Sequence, residues 1–258
     1  MLIVLTLVCF IASAAGAISG IGGGVIIKPV LDMTGMLGTA AVSFLSGCTV
    51  LAMTAVSLGK TFLKKDIEVD TARGTPLALG AAFGGVAGKM LFSSICERTG
   101  KEEIVGLIQT MIMLVIITGT FLYLTYEERI RARNISGIWT SLLIGFLLGL
   151  QSAFLGIGGG PVNLIVLRYF FSIERKKASL NSLYIIFFSQ LLSLAVTIAE
   201  GSIPDVPAIY LWVMILAGIA GGLAGSHLYR KMDAGQINRL FKAVLGVLIL
   251  INIRNLFR

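Results

Sequence analysis

The amino-acid sequence predicts an all-α, polytopic membrane protein of two inverted repeats, each with a Gly-rich broken or re-entrant helix hairpin plus three spanning helices. Three observations carry that expectation. Of 258 residues, 56% are hydrophobic and only 13% charged, with a mean hydropathy of +0.93, whereas a soluble domain averages about 25% charged residues. The pentapeptide Gly-Ile-Gly-Gly-Gly stands at 20–24 and again at 156–160. Basic residues gather in short segments between apolar runs, the pattern that orients a chain in a bilayer.

Apolar runs fall at about 2–19, 24–32, 39–59, 74–95, 104–125, 136–155, 161–172, 178–199, 208–229 and 238–253. A helix of about 20 residues crosses the hydrocarbon core, and one of 9–12 does not. The short runs, 24–32 and 161–172, are those directly after the two Gly-rich pentapeptides. Residues 2–17 lack the basic start of a signal peptide, and an equivalent run precedes the second pentapeptide, so they are expected to remain part of the protein.

An internal repeat organises these runs. The pentapeptide recurs at an offset of 136, Gly84-Gly85-Val86-Ala87-Gly88 matches Gly221-Gly222-Leu223-Ala224-Gly225 at 137, and Ser43 pairs with Ser182 at 139. The repeats are placed at 1–128 and 134–258, joined by the charged linker 129–133 into one domain. Lys60, Lys64, Lys65 and Arg73, then Arg129, Arg131 and Arg133, then Arg168, Arg175, Lys176 and Lys177, then Arg230, Lys231 and Arg239 mark the connections expected in the cytoplasm. The linkers 126–135 and 168–177 are both basic, so the chain between them enters the membrane and returns, with its Gly-rich pentapeptide at the bend. The same logic makes 1–38 a hairpin entering from the opposite face, and both termini lie outside. Three crossings per repeat then invert one half relative to the other.

Irregular backbone within a bilayer is tolerated only where protein or a cavity surrounds it, and paired glycine breaks in two repeats point to a transporter binding site. The helix restarting after each break presents unpaired N–H groups and a positive dipole end. Two such tips, Gly20, Gly22, Gly23 and Gly24 with Gly156, Gly158, Gly159 and Gly160, make a small electropositive cage for an anion near the midplane. Each terminus contributes about 0.3–1 kcal/mol, up to about 2 when partly buried. An unpaired anion in low dielectric costs tens of kcal/mol in the Born limit, so side chains must assist. Candidates are Ser43, Gln151, Asn163, Asn181 and Ser182, each also readable as a helix–helix hydrogen-bonding group. Lys28 and Lys89 are candidate anion-attracting charges, alternatively snorkelling to the outer face. The Gly-Gly-x-x-Gly segments read as packing surfaces.

Other chemistries lack their residues. Gly59-Lys60-Thr61 resembles the end of a phosphate-binding loop, but the required leading glycine is Thr54. Neither a Ser/His/Asp set nor paired carboxylates occupy the apolar runs, so no enzyme is expected, and neither cofactor nor metal. Cys9, Cys48 and Cys96 lack metal or redox spacing, and His227 has no partners for a zinc cluster. The net charge of +8 reports topology and lipid contact rather than nucleic acid. Without a nucleotide site, transport is expected to be secondary or passive. Coupling would then use a proton carried on the substrate or a cation held by backbone carbonyls. Oligomeric state is open.

The paired glycine breaks, Pro29, Ser43 and the Gly-Gly-x-x-Gly helices together resemble the TauE/SafE family of sulfite exporters over essentially the whole chain. That resemblance implies transport of a sulfur-containing anion, such as sulfite, sulfoacetate or another organosulfonate, across a bacterial inner membrane. It assigns functional weight to Gly20 to Gly24, Pro29, Ser43, Gly156 to Gly160 and Ser182. Ile165 replaces the repeated proline, while Pro161 and Asn163 lie near the second break, so unequal half-sites are expected. The leading reading is a secondary transporter working by alternating access. The alternatives are an anion channel on the same scaffold, or a membrane scaffold or sulfur-relay partner without transport.

Overall fold

A computed structural model describes residues 2–64, 70–130, 132–135 and 137–257. Lys65, Arg131 and Arg258 fall outside the described residues. Among the described residues, ten α-helices follow in order: α1 (Leu2–Ser19), α2 (Gly24–Thr34), α3 (Thr39–Lys64), α4 (Thr71–Thr99), α5 (Glu102–Tyr126), α6 (Ile138–Phe154), α7 (Pro161–Tyr169), α8 (Arg175–Ala199), α9 (Ala208–Lys231) and α10 (Ala234–Leu256). Among the described residues, seven helices are long and apolar enough to cross a membrane: α1, α3, α4, α5, α8, α9 and α10. The chain is a multi-pass membrane protein. Its outward surface carries the apolar side chains lipid requires, including Ile3, Phe83, Val115, Trp139, Leu143, Trp212, Leu216 and Leu250.

Helix limits follow the apolar runs, but several helices reach further at one end. Asp70 accepts a hydrogen bond from the Arg73 backbone N–H at the start of α4, and Asp233 with Gln236 forms a reciprocal cap at the start of α10. Such caps satisfy the orphan N–H groups of a first turn. They let polar residues extend a helix past its apolar stretch.

The two halves interlock. Exchange α1 with α6, α2 with α7, α3 with α8, α4 with α9 and α5 with α10, and the main packed pairs map onto one another. Thus α4 against α6 answers α9 against α1, α4 against α8 answers α9 against α3, and α5 against α7 answers α10 against α2. The Gly-Gly-x-x-Gly segments make the first of these contacts. A Cβ on Gly84 would lie 2.0 Å from the Phe146 carbonyl oxygen and one on Gly88 2.2 Å from that of Leu150. On the other side, Gly221 and Gly225 stand 2.3 and 2.4 Å from the carbonyl oxygens of Phe10 and Ala14. They are packing surfaces, as expected, and each one joins a helix that precedes residue 129 to a helix that follows residue 133.

Basic residues collect at one end of the bundle. Arg73 donates to the Phe171 carbonyl (2.7 Å), Arg230 to that of Lys60 (3.0 Å) and Lys176 to that of Met232 (3.4 Å). Glu127, just past α5, pairs with both Arg168 and Arg175. At the opposite end, Asp32, Thr39, Glu103 and Asn255 border a shared depression.

Candidate functional site

Both Gly-rich segments interrupt helix, and they do so alike. Gly20 and Gly156 have φ of +79° and +64°, and Gly22 and Gly158 have +78° and +67°. These left-handed values cost a residue with a Cβ about 1–2 kcal/mol, so glycine at these positions turns the chain where other residues would continue the helix. The segments are unequal beyond that point. Gly23 has an ordinary helical φ of −67° and α2 starts at Gly24, whereas α7 starts at Pro161, a residue suited to a first helical position. The second break, 155–160, is therefore two residues wider than the first, 20–23, by one residue at each end.

The two tips touch. A Cβ on Gly24 would fall 2.0 Å from the Ile157 carbonyl oxygen, and one on Gly22 3.6 Å from that of Gly158. Val50 and Ile186, from the middles of α3 and α8, fill the flanks. The space expected to cage an anion between the tips is thus occupied in this conformation. The start of α2, where unpaired N–H groups concentrate, faces a peptide carbonyl of the other tip.

The cavity lies beside the second tip. It has a volume of about 130 Å³, enough for several waters or a small oxyanion, and Ser43, Gly47, Lys89, Gly156, Gln190 and Ser202 are among its walls. A Cβ on Gly156 would stand 2.2 Å from Ser43 Oγ, so glycine lets this hydroxyl meet the tip. Lys28 Nζ donates to Ser43 Oγ (3.1 Å) and lies 3.6 Å from Asp32 Oδ2. Lys28 is 1% exposed, so snorkelling is excluded and its charge sits behind the cavity wall. Lys89 donates to Ser202 Oγ (3.0 Å) and lies 3.5 Å from Glu200 Oε2, near the cavity mouth.

Ser43, Lys89 and Gly156 line this space, with Lys28 one hydrogen bond behind. The other candidates lie elsewhere. Gly22, Gly24 and Gly158 form the tip contact. Gln151 Nε2 comes within 4.0 Å of a Cβ on Gly160, and Gly159 is pressed against Ile186. Asn163 is buried in the first turn of α7. Asn181 Nδ2 donates to the Lys177 carbonyl (2.9 Å). Ser182 corresponds not to Ser43 but to Ser46, at the pentapeptide's own offset of 136, and both hydroxyls are buried with no hydrogen-bond partner among the described residues. The true counterpart of Ser43 is Ser179, whose Cα stands 2.4 Å from a Cβ on Gly20. Sequence reasoning missed Ser179 and Gln190. An unbroken offset of 136 would have found the first. Nothing local marks the second, whose amide sits 3.3 Å from a Cβ on Gly158.

A multi-pass helical bundle with two matched glycine breaks and a small polar cavity at one of them has the architecture of a membrane transporter. The family model of the sulfite exporter TauE/SafE matches residues 5–252, and the chain belongs to that family. It is 28% identical over 239 residues to a probable membrane transporter protein of Haemophilus influenzae, covering 90% of this chain and 85% of that protein. It is 25% identical to the probable membrane transporter protein YunE of Bacillus subtilis, covering 94% of each. A shorter match, 27% over 115 residues, is to the probable membrane transporter protein MamO of Paramagnetospirillum magneticum, 43% of this chain and 18% of that protein. No solved structure matches the chain.

Proposed function

We propose that this chain is a secondary transporter that moves sulfite or a small organosulfonate such as sulfoacetate across a bacterial inner membrane by alternating access. Its repeats, about 1–128 and 134–258, are inverted, the Gly-rich breaks are tips of re-entrant hairpins, and both termini lie outside. The basic end of the bundle is cytoplasmic, following the positive-inside rule.

The observation that carries this reading is the cavity that ends at the touching tips. Its walls present the Ser43 hydroxyl, the Gln190 amide and the Gly156 backbone, with the buried Lys28 ammonium behind Ser43. That is a site for one small anion, since charge-assisted donors are what make burial of an anion affordable in free-energy terms. The tips stop the path partway, which favours alternating access over a channel. Substrate first meets Ser43 and Gly156, and the tip contact must part before it proceeds. Coupling through a proton on the substrate fits this set, because hydrogensulfite carries half the charge of sulfite into the cavity.

The test is uptake of radiolabelled sulfite, kept anaerobic, into proteoliposomes. Saturable uptake accelerated by sulfite on the far side is expected. Non-saturable flux without counterflow would assign a channel, and no flux by folded protein under any ion or pH gradient would overturn the reading.

A further inference from the structure

The cavity has a counterpart in the chain. Carried across the repeat offset of 136 or 137, its wall residues Ser43, Phe44, Gly47, Phe92, Gly156 and Leu194 fall on Ser179, Leu180, Leu183, Tyr229, Gly20 and Leu58. The second set converges too. Gly20 seats against Ser179 as Gly156 seats against Ser43, and Leu58, Leu180, Leu183 and Tyr229 share one apolar cluster. Here the space is filled: Leu58 is 4% exposed, Leu180 3%, Leu183 1% and Tyr229 3%.

Two donors hold this side shut. Tyr229 Oη on α9 donates to the Lys176 carbonyl on α8 (2.5 Å). Arg230 Nη2 donates to the Lys60 carbonyl on α3 (3.0 Å). On the open side the same positions are Phe92, which has no donor for the carbonyl of Ala40, and Ser93, which lines the cavity. The carbonyls of Lys176 on α8 and Lys60 on α3 are thus tied to α9 by donors that positions 92 and 93 of α4 do not supply among the described residues; α4 meets α8 elsewhere, where the Thr75 and Tyr184 hydroxyls lie 3.4 Å apart.

We infer that Ser179 and Gly20 form a second half-site for the same anion, beneath a closed gate of Tyr229, Leu58 and Leu180, which opens as the side bearing Phe92 closes. This rests on the transport reading. In the alternate state Ser179 offers the anion the hydroxyl that Ser43 offers now, and the Ser179 hydroxyl is released from the Ser19 carbonyl it currently holds at 3.1 Å. The aromatic pair sets the bias between states, because one net hydrogen bond is present only on the Tyr229 side.

The test reads opening without substrate. With Cys9, Cys48 and Cys96 replaced by Ala, Ser43→Cys and Ser179→Cys are labelled in detergent with a small anionic thiol reagent. Ser43→Cys is expected to react readily and Ser179→Cys slowly. Tyr229→Phe should raise Ser179→Cys labelling about three- to tenfold, the size of one net hydrogen bond, and slow that of Ser43→Cys. The mirror change, Phe92→Tyr, should slow Ser43→Cys labelling. Unchanged labelling of both reporters by both aromatic variants, in protein eluting as a single species, would overturn the inference. Sulfite flux by the same protein without reporters reads the transport proposal separately, so either can fail alone.

Discussion

Adding one methyl group to each of the first tip's left-handed glycines separates conformational strain from steric fit. Gly20→Ala and Gly22→Ala each force an L-residue to φ near +79° or +78°, a cost of about 1–2 kcal/mol. Their surroundings differ. At Gly22 the new Cβ meets Ile186 Cδ1 at 3.4 Å and the Gly158 oxygen at 3.6 Å, ordinary contact. At Gly20 it falls 2.4 Å from Ser179 Cα and 2.6 Å from its carbonyl oxygen, so the tip must lift from the α8 backbone, adding about 1–3 kcal/mol of overpacking. Gly22→Ala should therefore cost about 1–2 kcal/mol and Gly20→Ala about 2–5. Thermal unfolding of purified protein in detergent, followed by tryptophan fluorescence, should show Gly20→Ala with the larger fall in Tm. Equal, small shifts for the two would refute the seating of the tip on α8. Valine at 22 adds branched bulk at the tip contact, so Gly22→Val should lose flux while the protein remains in the membrane.

Three further outcomes are expected. Glu127→Gln leaves Arg168 and Arg175 facing each other at the end of α7, with side-chain exposures of 18% and 24%; a loss of about 3 kcal/mol should appear as a lower Tm, and a wild-type Tm would contradict the bridging role. Lys28→Met removes a charge-assisted donor from Ser43, which should cut kcat/KM for sulfite about tenfold or more, and unchanged kinetics would remove Lys28 from the site. Lys89→Ala, at the cavity mouth with its partner Glu200 47% exposed, should reduce uptake only about two- to fivefold at low ionic strength, with the difference gone at about 0.5 M salt; a salt-independent loss would instead place Lys89 in direct contact with the anion.

Much of the fold was legible in the sequence because a bilayer admits few solutions. Apolar runs of about 20 residues become helices, and both glycine pentapeptides break them. Helix ends were less legible, since capping at Asp70 and Asp233 extends helices through polar residues. The partnership of α4 with α6 and of α1 with α9 was hidden, because glycine spacing reveals a packing face but not its partner. For the candidate site, the repeat located both glycine breaks and singled out Ser43, which lines the cavity beside Gly156, while Ser182 was matched three residues out of register and concealed Ser179. Lys28 was misjudged as able to snorkel because sequence shows how far a side chain reaches and not what surrounds it. The filled space between the tips was likewise invisible, since the glycine pattern marks where the backbone turns and not how closely two turns approach.

Sulfite counterflow in proteoliposomes, comparing the natural protein with Gly158→Val, tests the central claim most directly. A Cβ at 158 would lie 3.1 Å from Val50 Cγ1 and 3.3 Å from the Gln190 amide carbon, so the branched side chain wedges the tip against the walls that the proposed transport cycle would move past it. Expected is saturable counterflow by the natural protein, inhibited by some sulfur anions and not by chloride, and none by the variant at equal incorporation. Equal counterflow by both proteins would contradict a pathway through the tips.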